Sequence, residues 1–272
     1  MISFFIAIGV LILGYFIYGK IVERVFGVKP ERETPATRLE DGVDFMVLPT
    51  WKVFLIQFLN IAGLGPIFGA IAGAMFGPAA FLWIVLGSIF AGAVHDYFSG
   101  MLSLRHDGLS ISEIVGVYLG NNAKHIMRLF TIVLLIFVGS VFLMGPAKII
   151  DGMTGVRWGV WGWVLIILVY YVLSTLLPMD KLIGKLYPVF GVAMLFMALG
   201  LFFALIFGNY HIPEIIPANL YNMKTNPEET PIFPILFVTI ACGAISGFHA
   251  TQSPLMARCM KNEKTGRKIF YG

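Results

Sequence analysis

Apolar residues in this chain fall in long, unalternated runs. Seven of them cover residues 2–19, 52–77, 79–102, 129–149, 159–177, 187–208 and 232–256. As helix, rising about 1.5 Å per residue, each is long enough to cross about 30 Å of hydrocarbon. Strands of a membrane barrel would instead alternate over about ten residues. Lipid offers no water to backbone N–H and C=O groups, which leaves helices and closed barrels as the spanning structures. The pattern therefore predicts an all-α polytopic membrane protein with seven transmembrane helices. Gly77-Pro78 supplies the turn between the second and third.

Two of the runs interrupt their own helices. In the second, Asn60 is followed by Gly63, Gly65 and Pro66 near the middle of the span. Proline has no N–H, and its ring clashes with the carbonyl four residues earlier, that of Ala62. After this break Gly65, Gly69, Gly73 and Gly77 recur every four residues and form a smooth face for close helix packing. The seventh run carries Gly243, Ser246 and Gly247 at a similar depth, followed by His249, Gln252, Ser253 and Pro254. The breaks lie five runs apart, in the second and the seventh, so the second crosses the membrane in the opposite sense. That is the signature of an inverted repeat of the LeuT/APC type with a broken first helix in each half. On this reading helix 2–19 is an extra N-terminal helix, followed by a whole five-helix repeat and the first helix of a second.

Basic residues are distributed unevenly between the runs. Residues 20–52, 103–128, 178–186 and 257–272 together hold sixteen Lys and Arg; the turn at 78 and regions 148–158 and 209–231 hold three. The positive-inside rule then places loops 20–51 and 103–128 and the tail 257–272 in the cytoplasm and the N-terminus outside. Residues 2–19 have no Lys or Arg before them and no small-residue cleavage site after them, and so read as a retained helix rather than a signal peptide. Ser110 and Glu113 form a capping box that predicts a short interfacial helix in loop 103–128. The tail ends as a further apolar segment begins at Ile269, as expected of a single transmembrane domain that is the N-terminal part of a longer carrier.

Composition agrees with a lipid solvent: the chain is 58% hydrophobic and 12% charged, against about 25% charged in soluble domains. The net charge of +4 is accounted for by topology and does not call for nucleic acid. Cys242 and Cys259 have neither a disulfide framework nor metal-ligand spacing, and no metal or cofactor is expected. The zinc-protease, nucleophile-elbow and phosphate-loop motifs are all missing, which argues against an enzyme. Carriers and nutrient sensors both need a binding cavity, and the residues alone do not separate them.

Polar residues inside the runs are the candidate chemistry. His95-Asp96 is an ionisable pair within the third run; such pairs mark pathways or proton relays, and His titrates near physiological pH. The pair also lies toward one end of its run, where charge is cheaper. His249, Gln252 and Ser253 either line a cavity or bond between helices. Asn60 either meets substrate or caps freed carbonyls. Broken helices present N–H groups and a positive dipole end, which suits a carboxylate, and no Lys or Arg occurs in residues 53–104 or 225–257. The expected substrate site is thus Asn60, Gly63, Gly65, Pro66, Ser246, Gly247, His249 and Gln252, with His95 and Asp96 for coupling to H+ or Na+.

Several of these blocks resemble a known family. Gly14, Tyr15, Tyr18 and Gly19, Thr34 to Ala36, Asp41 to Asp44, Gln57 through Pro66, Gly87 through Gly100 and Ser246 through Arg258 are similar to carbon starvation protein A. The resemblance runs from near residue 10 to the end. It implies a bacterial inner-membrane carrier, induced on carbon starvation and linked to uptake of pyruvate or peptides. Members of that family are longer than this chain.

Overall fold

The computed structural model describes the chain except for residues 156, 157, 177, 178 and 209 and the side chains of 176–188. Arg157 and the side chains of Lys181 and Lys185, all part of the charge pattern, lie outside the described residues. Among the described residues there are helices and no strand.

Helices α1 (Ile2–Phe16) and α2 (Tyr18–Phe26) follow one another as a 25-residue apolar stretch that continues past residue 19, where the sequence suggested a loop. Next come α3 (Thr50–Ile61) and α4 (Leu64–Ala74), then α5 (Ala79–Arg105). Helix α6 (Ile111–Leu119) stands where the capping box pointed to a short helix. Three further helices are α7 (Asn121–Thr154), α8 (Gly159–Leu176) and α9 (Met179–Phe207). The last run resolves into α10 (Phe237–Ala244), α11 (Phe248–Thr251) and α12 (Ser253–Ala257). Among the described residues, five helical stretches are long and apolar enough to span a membrane, six with the bent pair α3 and α4; α8 is a shorter apolar helix.

The chain divides into two compact units, Met1–Ile111 with Phe190–Gly272, and Ser112–Val189. The second unit contains α7 and α8, packed on one another; the Tyr171 hydroxyl donates to the Phe142 carbonyl at 3.1 Å. Large apolar side chains along both helices, such as Phe137 and Trp161, are exposed, as a lipid solvent allows.

The first unit holds both interruptions. Helices α3 and α4 meet at 53°. The break lies at Ala62-Gly63, where Gly63 is extended (φ −80°, ψ −161°). Pro66 therefore sits in the first turn of α4, where a missing N–H costs nothing, and the Ala62 carbonyl that its ring would strike has left the helix. The second break lies at Ile245 to Gly247. Ile245 leaves helical geometry (φ −123°, ψ 84°), and the Ser246 hydroxyl accepts the Phe248 N–H at 3.2 Å.

Glycine brings the two broken helices together. Helices α4 and α10 share the most extensive helix contact of this unit. A Cβ on Gly69 would stand 2.8 Å from the Thr239 carbonyl oxygen, and one on Gly65 3.1 Å from that of Cys242. A Cβ on Gly73 would meet the side chain of Ile240 instead. Gly77 departs from this series: its φ of +90° turns the chain into α5. Within α5, residues Gly87–Gly92 form a π-helical stretch, a widened turn that re-aims the side chains after it.

Candidate functional site

A cavity of about 240 Å³ opens between the broken helices. Phe54, Gln57 and Phe58 of α3 line it with Pro66 of α4, Ser88, Gly92 and Asp96 of α5, Gly243 and Ala244 of α10, and His249 of α11. Residues 269–272 complete the wall, and none of the lining residues is Lys or Arg. The volume lies below the about 300–1,000 Å³ of drug-sized pockets and suits a small solute.

At one side of the cavity, three polar residues interlock. The Gln57 Nε2 lies 3.0 Å from each carboxyl oxygen of Asp96 and 2.8 Å from the Ser253 Oγ. The Ser253 hydroxyl in turn donates to Asp96. Gln57 and Ser253 are fully buried and Asp96 is 2% exposed. A carboxylate this deep is tolerated only when hydrogen-bonded, and here two donors hold it. The widened turn of α5 ends just before Asp96 and sets it on the face toward α3 and α12. The amide oxygen of Gln57 is buried without a partner.

A second contact joins the histidines. His95 Nδ1 and His249 Nδ1 stand 3.1 Å apart, close enough that one ring nitrogen holds a hydrogen for the other. His249 is buried and lines the cavity, while His95 is exposed. The Nδ2 of Asn60 donates to the Oε1 of Gln252 at 3.4 Å, bridging α3 to the chain between α11 and α12. Among the described residues no group of three His, Cys, Asp or Glu is placed to hold a metal ion.

Of the residues singled out from sequence, Pro66, Asp96 and His249 line the cavity, and His95 adjoins it through His249. Asn60, Gly63, Gly65, Ser246, Gly247 and Gln252 lie outside its lining: Gly63 and Ser246 form the breaks, Gly65 packs the two helices together, and Gly247 precedes α11. Gln57, which holds Asp96, carries no local signal beyond being a polar residue in an apolar run.

Below the cavity, charged groups fasten the ends of the elements. Arg105 at the end of α5 pairs with Glu263 at 2.9 Å and donates to the Gly27 carbonyl at 2.6 Å. The Lys29 N–H also donates to Glu263, at 2.6 Å. Burial pulls the Glu263 carboxyl upward, but the Arg105 and Lys29 hydrogen bonds and the Arg105 and Arg32 charges outweigh it, leaving it below the usual carboxylate range. Arg267 pairs with Glu23 of α2 at 3.0 Å.

Comparison with known proteins places the chain. The model of the family described as carbon starvation protein CstA matches residues 1–160 and 150–272. A membrane protein of Haemophilus influenzae is 45% identical over the whole chain and 86% of its own length. That alignment extends over 319 positions against 272 residues here, so at least 47 of its positions have no counterpart in this chain. The peptide transporter CstA of Bacillus subtilis is 28% identical over 89% of the chain, and the pyruvate/proton symporter BtsT of Escherichia coli 24% over 98%. The chain spans about half the length of these two, 50% and 46%. No solved structure matches. With a family model covering its length and a 45% identical relative, this chain belongs to the carbon starvation protein CstA family.

Proposed function

We propose that the chain forms the cavity-bearing part of a secondary transporter of the bacterial inner membrane, which takes up a small carboxylate such as pyruvate, or peptides, together with protons during carbon starvation. The observation that carries this reading is a buried carboxylate, Asp96, on the wall of a small cavity between two broken helices. A proton-binding group on a cavity between broken helices is what a coupled carrier requires. Relatives named as a peptide transporter and a pyruvate/proton symporter support it and favour transport over sensing and over enzyme chemistry. His95 and His249 offer the proton a route from the exposed side to the cavity. The start of α4 at Gly63 and the absence of Lys and Arg from the lining suit a substrate bound by helix N–H groups. In this reading the seven apolar runs all span, the N-terminus is outside, and the two breaks belong to repeats of opposite sense.

Proteoliposomes containing the protein test this. With an inward proton gradient, labelled pyruvate or a labelled dipeptide is expected to accumulate, and Asp96→Asn is expected to exchange substrate without accumulating it. Folded protein that binds pyruvate but transports neither compound would establish the sensor reading in its place.

A further inference from the structure

The amide of Gln57 has two ends with unequal surroundings. Its Nε2 is fully engaged, one hydrogen directed at the two oxygens of Asp96 and the other at Ser253. Its Oε1, equally buried, has no partner. That orientation fits an ionised Asp96, which can only accept hydrogen bonds. Once Asp96 takes a proton it gains a donor, for which the unpartnered Oε1 of the same amide is an available acceptor. A half-turn about the terminal bond of Gln57 brings that oxygen to the new hydroxyl and swings the NH2 group to the other end. Gln57 and Asp96 both line the cavity, which sets the turning amide at the wall where a molecule would bind.

We propose that Gln57 is a positioning residue whose amide turns when Asp96 is protonated, so that the cavity accepts a carboxylate anion only together with that proton. The inference rests on the cavity being the substrate site. With Asp96 ionised, the lining side chains carry one negative charge, no Lys or Arg, and an amide turned toward its own carboxylate. An anion is repelled there and finds no side-chain amide donor. With Asp96 neutral, the repulsion disappears and the amide N–H becomes available. The proton arrives from water, forms one O–H bond on Asp96 and leaves by the same bond breaking, so proton and anion cross as a neutral pair. The substrate class is accordingly a small monocarboxylate.

The Tyr97 hydroxyl, next to Asp96 on α5, is buried without a partner, and the other titratable groups named here are engaged elsewhere or exposed. His249 faces His95, and the Tyr271 hydroxyl donates to the Ile89 carbonyl. Glu23 and Arg267 pair with each other, Arg105 pairs with Glu263, and Arg258 donates to the Gly108 carbonyl. Lys20, Arg24 and Lys268 are exposed, and Lys52 begins α3 beside the Trp51 ring.

Binding of labelled pyruvate to the purified protein across pH 5–8, with thermal stability measured alongside, tests the proposal. Wild type is expected to tighten as pH falls, by up to about tenfold per pH unit for one linked proton. Asp96→Asn is expected to bind tightly at every pH. Gln57→Met should weaken binding at least tenfold at low pH and in the Asp96→Asn background, and much less at high pH in the otherwise native protein. A merely structural Gln57 would lower affinity equally at all pH, which overturns the proposal. Should Gln57→Met not fold, infrared difference spectra decide: pyruvate added to wild type should raise a protonated-carboxyl band that Asp96→Asn lacks. Pyruvate binding with neither pH dependence nor that band would overturn the coupling while leaving the cavity as the substrate site. Folded wild type that binds no pyruvate at any pH would remove the site itself.

Discussion

Gly92 of α5 lies with its bare backbone against the carbonyl of Ala244, the last residue of α10, so closely that a methyl group on it would overlap that carbonyl. The neighbour is backbone and has no rotamer to change. Gly92→Ala is therefore expected to lower stability by about 1–3 kcal/mol or more, the usual cost of overpacking. Gly139→Ala is the control: it sits inside α7 with open space around it and should be neutral or slightly stabilising, by up to about 1 kcal/mol. Thermal midpoints in one detergent compare the two.

Gly65→Val should abolish pyruvate uptake. Its Cβ would stand 3.0 Å from the Cys242 sulfur and 3.1 Å from the Cys242 carbonyl, and the two further methyl groups enlarge the conflict at the joint of the broken helices. Gly65→Ala should be milder, because the sulfur can swing aside. A folded Gly65→Val protein with native uptake would detach this joint from transport.

His249→Gln should slow proton-driven uptake at least about tenfold, equivalent to about 1.4 kcal/mol in the barrier, while leaving pyruvate exchange without a gradient nearly unchanged. It removes the ring that meets His95 at 3.1 Å but leaves Asp96 and its two donors in place. Initial rates with and without a pH gradient separate the two effects. Equal loss in both would make His249 a substrate contact instead.

Glu263→Gln should destabilise the protein at neutral pH by about 1.5–3 kcal/mol, the range for hydrogen bonds to charged groups. The Glu263 carboxyl is held below its unfolded value, near 4.5, so its contribution is present above that pH. It is lost as pH falls through the lower folded value. Wild type should lose thermal stability as pH falls below about 4.5, and the curves of wild type and Glu263→Gln should converge at the acid end.

What could be read in advance depended on how local the cause was. The first break was legible in Pro66, yet it falls at Ala62-Gly63, because a proline disrupts the carbonyl four residues before it and is itself welcome in a first turn. Asp96 stood out because a charge inside an apolar run always does. Gln57 did not: its partners lie 39 and 196 residues away, and nothing in its neighbourhood announces them. The role of Arg105 was hidden for the same reason, its Glu263 partner being 158 residues distant. The π-helical stretch Gly87–Gly92 had no sequence signal at all, since no local residue preference specifies one extra residue in a turn.

The glycine seam between α4 and α10 has a mechanical consequence. Interfaces built of side chains yield by exchanging rotamers, whereas carbonyls seated on Gly65 and Gly69 have none to exchange. The two half-helices must then travel as one stiff strut, keeping both breaks at a common depth. If the cavity opens, the movement falls to the elements around this strut, among them the segment 267–271, which is tied by Arg267 to Glu23 and by Tyr271 to Ile89 and packs with Ile269 and Phe270 buried.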